Sequence, residues 1–124
     1  MSGVGELYHQ MGEDGIAALV AAFYRRIADD ELLGPMYPKE DLEGAEERLR
    51  EFLVMRLGGP PRYMEKRGHP RLRMRHLPFS IGEAERDRWL ELMDAAMDET
   101  STTTSARELL RPFFAQVADF MRNQ

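Results

Sequence analysis

Three observations predict an all-α fold for this sequence. Apolar residues recur at helical spacing almost throughout. No alternating run or hairpin signal competes with them. Glycine and proline cluster where one helical run gives way to the next.

The first long run sets the pattern. Ile16, Leu19, Val20, Phe23, Tyr24 and Ile27 form one apolar stripe, and Glu13 and Asp14 stand at its front, where acids favour the helix dipole. The stretch "ELLGPMYP", with Gly34, Pro35 and Pro38, then makes a turn-rich connection. A second helix is predicted from about Leu42 to Leu57, with Leu42, Ala45, Leu49, Phe52, Leu53 and Arg56 along one side. The run "GGPP" at 58–61 stops it. From Arg62 to Phe79 the periodicity fails, and at most a short helix fits between Pro70 and Pro78. Ser80 and Glu83 read as a capping box opening a third helix, whose inner side would be Trp89, Leu92, Met93, Ala96 and Met97. Ser105 and Glu108 offer a second box before Leu109, Leu110, Phe113, Phe114, Val117, Phe120 and Met121. Pro112 should kink that last helix or delay its start.

The 124 residues suit one domain, 1–124, long enough to enclose a core and one ligand. No apolar run approaches the roughly 20 residues of a membrane span, and "MSGVGELYHQ" lacks the features of a signal peptide, so a cytoplasmic protein is expected. Without cysteine there are no disulfides or thiolate metal sites. A net charge of −5 argues against a general nucleic-acid binder. Lys66, Arg67, Arg71, Arg73 and Arg75 nevertheless form a local +5 stretch without an acid, which leaves −10 on the rest of the chain. That stretch reads as a solvated loop or as a cradle for a carboxylate-bearing ligand. As a nucleic-acid patch it lacks interleaved aromatic residues.

Conventional catalytic motifs are missing. His69 and His76 lie on either side of Pro70 rather than on one helix face, and a zinc site would have to recruit carboxylates. No serine occupies a nucleophile elbow, and "LGGPP" matches no phosphate loop. Tyr24, Tyr37 and Trp89 are more informative, because each joins a large apolar body to a polar tip that needs a partner when buried. Two readings stay open for them: the tips bond to backbone carbonyls within the core, or they converge on a bound ligand. His76, inside "RHLPFSI", is by itself more often a structural residue.

The runs "YPKEDLEGAEERLREFL", "GGPPRYMEKRGHPRLRMRHLPFSI" and "ERDRWL" resemble the truncated haemoglobins of the second group. The likeness covers nearly the whole chain, and "GHPRLRMRH" with the downstream Trp89 is its specific part. It implies a two-over-two helical sandwich around haem b, with the proximal helix mostly replaced by loop in the irregular 62–79 segment. It implies His76 as the iron ligand and places the Leu42–Leu57 helix across the distal face. Ala45 takes a position where many globins carry a distal histidine, which leaves room for ligand entry.

The resemblance sets Tyr24, Tyr37 and Trp89 around the bound ligand, with Leu49, Phe52 and Leu53 as apolar wall. It makes Arg48, Tyr63, His69 and Arg73 candidates for the haem propionates. Charge-assisted bonds in a dry pocket contribute roughly 1.5–3 kcal/mol each, so three donors would slow oxygen release. The implied ligands are oxygen, carbon monoxide, nitric oxide or peroxide. Detoxification of nitric oxide or peroxide would require a separate reductase, because the sequence shows no flavin domain. Two departures stand out: the family's glycine pair before its second helix reads "MGEDG", with Gly12 alone in place, and the segment after Met97 follows the family less closely. Two other functional readings accompany this one. The chain could be a haem-free helical interaction module docking through its basic stretch, or a gas sensor signalling through a partner.

Overall fold

The computed structural model describes residues 3–124. Its α-helices are α1 (Leu7–Asp29), α2 (Leu42–Arg56), α3 (Arg62–Arg67), α4 (Leu72–His76), α5 (Glu83–Glu99) and α6 (Thr104–Met121). No strand occurs among the described residues. α1 packs on α2, α5 packs on α6, and α1 also packs on α5, so two helical pairs form a two-over-two sandwich. No helix among the described residues is long and apolar enough to cross a membrane.

The core follows from the α1 stripe: Ile16, Leu19, Val20, Phe23 and Ile27 have no exposed surface. Burying each such side chain is worth roughly 1.5–3 kcal/mol, which outweighs the modest helix propensity of the β-branched members. Leu53, Leu57, Met93, Met97, Leu110 and Phe114 complete it from the other long helices. Arg56 leaves the apolar row of α2 to stack over the rings of Phe52 and Phe113, at 5.7 and 5.2 Å from their centroids.

Several details depart from expectation. α1 begins at Leu7, ahead of the acids, and breaks at Gly12, whose φ of 74° and ψ of 164° suit glycine alone. The Tyr8 N–H donates to Leu57 O at 2.8 Å, which ties this front turn to the end of α2. Both predicted capping boxes lie two residues off. Gly82 is the N-cap of α5, and Glu85 Oε1 accepts from its N–H at 2.8 Å. Thr103 caps α6 by accepting from Ala106 N at 3.2 Å.

Pro112 sits inside α6 without ending it. The Glu108 carbonyl that loses its donor belongs to an exposed turn, where water can satisfy it. Phe120, predicted on the inner face of α6, is exposed. The irregular segment holds α3 as well as the short α4 expected between the prolines.

Candidate functional site

A cavity of about 370 Å³ is bounded by all six helices or the turns between them. α1 contributes Tyr24. The turn after it contributes Tyr37, and its shape depends on Asp30. That carboxylate accepts from the N–H groups of Leu32 (3.1 Å) and Leu33 (2.8 Å) and from Arg88 Nη1 (3.1 Å). α2 presents Ala45, Arg48, Leu49 and Phe52, spaced by three and four residues along one face. Ile81, Val117, Ala118 and Met121 extend the apolar lining.

Aromatic edges hold the polar tips in place. The Phe23 ring meets Tyr24 at 5.5 Å and 89°, and meets Trp89 at 5.1 Å and 61°. Trp89 in turn packs on Phe114 at 5.6 Å. Burial pushes the Tyr37 hydroxyl up to about 12, while the neighbouring Trp89 indole acts the other way. Burial, and then the neighbouring Tyr37, raise Tyr24 above its ordinary value. Both phenols therefore keep their protons at neutral pH and remain available as donors.

His76 ends α4, and its imidazole lines the cavity. Its Nδ1 lies 2.6 Å from Leu72 O. A carbonyl only accepts, so Nδ1 carries the proton and Nε2 keeps its lone pair. No protein donor among the described residues bonds to Nε2. Arg75 also lines the cavity, and its Nη1 donates to the hydroxyl of the buried Tyr63 at 3.1 Å.

The basic stretch divides into two parts. Glu51, a buried carboxylate on α2, accepts from Lys66 Nζ at 2.6 Å and Arg67 Nη1 at 2.5 Å, so those two cations lock α3 to α2. The Lys66 bond, with that of Arg67, holds the Glu51 carboxyl below its ordinary range against the opposing effect of burial. Arg71 and Arg73 are exposed and are not among the residues that line the cavity.

Of the residues singled out in the sequence, Tyr24, Tyr37, Ala45, Arg48, Leu49, Phe52, Tyr63, His76 and Trp89 meet at the cavity. Leu53, His69 and Arg73 do not. Leu53 is one residue, about 100° of helix, beyond Phe52 and turns into the core. His69 is exposed, and its Nδ1 accepts from Arg71 N at 3.0 Å. Arg75 and Arg86 are the cavity cations that sequence reasoning missed. Arg86 stands three residues before Trp89 on the same helix face, a spacing that could have found it. Nothing in the sequence separates Arg75 from its arginine neighbours.

An apolar slot with one imidazole lone pair, flanking guanidinium groups and buried phenols suits a flat, carboxylate-bearing group that carries a metal. The two-over-two helical frame and this slot together define a truncated globin. The model of the bacterial-like globin family matches residues 6–123, and the chain belongs to that family, among its group II truncated haemoglobins. It is 42% identical over 117 residues to a group 2 truncated haemoglobin of Bacillus subtilis, covering 94% of this chain and 88% of the relative. The crystal structure of a truncated oxygen-avid haemoglobin from Bacillus subtilis superposes with a TM-score of 0.89 at 41% identity, covering 94% of this chain and 98% of that one. A thermostable haemoglobin from Thermobifida fusca gives 0.88 at 48% identity, covering 94% and 95%. Family membership carries with it a haem cofactor and small gas ligands.

Proposed function

We propose that the cavity holds haem b through His76 Nε2 and that the chain retains oxygen tightly rather than delivering it. The observation that carries this reading is the His76–Leu72 bond at 2.6 Å, which fixes the tautomer able to ligate a metal. Arg48 and Arg75 would receive the carboxylates, and Tyr63 would orient Arg75 from behind. When bound, haem supplies an iron centre that takes oxygen, carbon monoxide or nitric oxide.

The chain's own residues do the rest. Leu49, Phe52, Val117 and Met121 keep the slot dry, which strengthens every polar contact made inside it. Tyr24 and Tyr37 hold their hydroxyl protons, and Trp89 presents an N–H that can only donate. Ala45 adds no polar group to the α2 side. Donors of this kind favour a ligand that gains negative charge. The likeness to an oxygen-avid relative supports the same reading. Donors that stabilise such a ligand also serve conversion of nitric oxide or peroxide, with an external reductase returning electrons.

The test is the visible spectrum of the purified protein as isolated, reduced with dithionite, and reduced under carbon monoxide, beside His76→Ala. An intense Soret band that shifts with carbon monoxide and is lost or disturbed in the variant is expected. A protein that stays colourless when haem is supplied would sink the proposal and leave the helical docking module as the reading to pursue.

A further inference from the structure

α4 has five residues, too few to hold its own shape in water, so its position is set by what grips it from outside. On one side the grip is Arg75 on Tyr63. On the other it is Asn123, just beyond the end of α6. The Asn123 Nδ2 donates to Phe79 O at 2.7 Å and to His76 O at 3.3 Å. Its Oδ1 accepts from Ile81 N at 2.9 Å, and its own N–H donates to Ile81 O at 2.9 Å. One residue thus brackets the whole 76–81 segment, with a bond to the residue that ends α4 and two to Ile81.

Besides Asn123 the segment has the buried Ile81 side chain and two longer backbone bonds, Leu77 N to Met74 O at 3.3 Å and Gln124 N to Ile81 O at 3.2 Å. Leu77 and Phe79 are exposed, Pro78 donates nothing, and within the segment only the Phe79 N–H returns to His76 O, at 3.0 Å. The His76 carbonyl accepts from both Phe79 N and Asn123 Nδ2, which uses its two lone pairs. The histidine's main chain is therefore tethered to the end of α6, the helix that also supplies Val117, Ala118 and Met121 to the cavity.

We propose that Asn123 is a positioning residue for the iron ligand. It fixes the 76–81 segment against α6 and so sets the seat and tilt of the His76 imidazole. The inference rests on the haem reading above. Asparagine suits the position because it offers a two-proton donor and an acceptor from one planar amide. Aspartate would keep the acceptor for Ile81 N but turn a carboxylate oxygen toward two carbonyls.

The experiment compares the haem-loaded protein with Asn123→Ala, Asn123→Asp and, as a control for general destabilisation, Thr103→Ala, which removes the α6 cap. The readouts are the iron–histidine stretching band in the resonance Raman spectrum of the reduced, ligand-free protein and the rate of haem transfer to apomyoglobin. Both Asn123 variants should shift and broaden the band. They should lose haem about tenfold faster, the change that corresponds to one net hydrogen bond. Thr103→Ala should lower the melting temperature and leave both readouts near wild type. Wild-type bands and rates in the Asn123 variants would overturn the proposal, as would equal changes in Thr103→Ala. A wild type that takes up no haem would fail the underlying reading first, and is told apart by the missing Soret band.

Discussion

The rings of Tyr24 and Tyr37 meet edge to face, 5.6 Å between centroids with their planes at 90°. That contact gathers one hydroxyl from α1 and one from the turn after it into one corner of the cavity, and Trp89 reaches the same corner from α5 through Phe23. Trp89→Phe deletes the indole N–H and keeps an aromatic ring against Phe23 and Phe114. Oxygen dissociation should accelerate roughly tenfold to hundredfold, the span expected for one charge-assisted bond in a dry site. Stopped-flow displacement by carbon monoxide measures it. An unchanged off-rate would make Trp89 a packing residue.

The pH behaviour of that corner follows from the raised phenols. With Tyr37 pushed up to about 12 and Tyr24 raised as well, both stay protonated through the neutral range. The oxygen off-rate should be flat between about pH 6 and pH 9. Groups raised in the folded state contribute stability below their unfolded value near pH 10 and lose it as pH climbs through the folded value. Wild type should therefore lose stability in alkali more steeply than Tyr37→Phe, as denaturant titrations across that range would show.

The opposite sign applies at Glu51. Its carboxyl is lowered by Lys66 and Arg67, so the stability it adds is present above about pH 4 and disappears as pH falls through its folded value. Glu51→Gln should cost about 2 kcal/mol at neutral pH, discounted because Lys66 is half exposed. Urea unfolding of both proteins should show the gap closing on acidification. A gap that persists at about pH 3 would mean that packing, not charge, carries the effect.

Gly58 offers a steric prediction. Its φ is 102°, and a Cβ there would lie 1.9 Å from the Gly5 carbonyl oxygen. Gly58→Ala should cost about 3 kcal/mol or more, since both backbone strain and the clash must be relieved. Gly68 shares a positive φ of 77° but has open space around it, so Gly68→Ala should cost only about 1–2 kcal/mol. Equal losses in the two variants would show that the approach of residue 5 to residue 58 is unimportant.

Legibility in the sequence tracked the length and burial of each element. α2 ends within one residue of the predicted bounds, because its apolar row and the "GGPP" stop agree. The front turn of α1 escaped notice, since Gly12 interrupts the stripe that Leu7 and Met11 would otherwise extend. The cap of α5 lies off its predicted place because a cap can be reciprocal: at Gly82 the side chain involved is that of Glu85, three residues on. Among the site residues, those on long helices at core spacing fell where expected, as Tyr24, Leu49 and Phe52 show. Within residues 66–76 periodicity gives no direction. Which arginine turns inward depends on Tyr63, whose hydroxyl selects Arg75, and on Glu51, which takes Arg67.

The Glu51 junction gives the two sides of the cavity different physical characters. Around Tyr24, Tyr37 and Trp89 ring edges and hydrocarbon dominate the wall, and the Asp30–Arg88 pair braces the turn before Tyr37. Around α3 the wall is held by the Lys66 ammonium and Arg67 guanidinium on Glu51, and around α4 by neutral hydrogen bonds from Asn123; added electrolyte screens the exposed Lys66 end of that junction. Salt thus acts on the α3 side of the chamber at Lys66 and leaves the aromatic packing of the other side in place. On the haem reading, the hold on the prosthetic group and the hold on its ligand rest on separate parts of the wall.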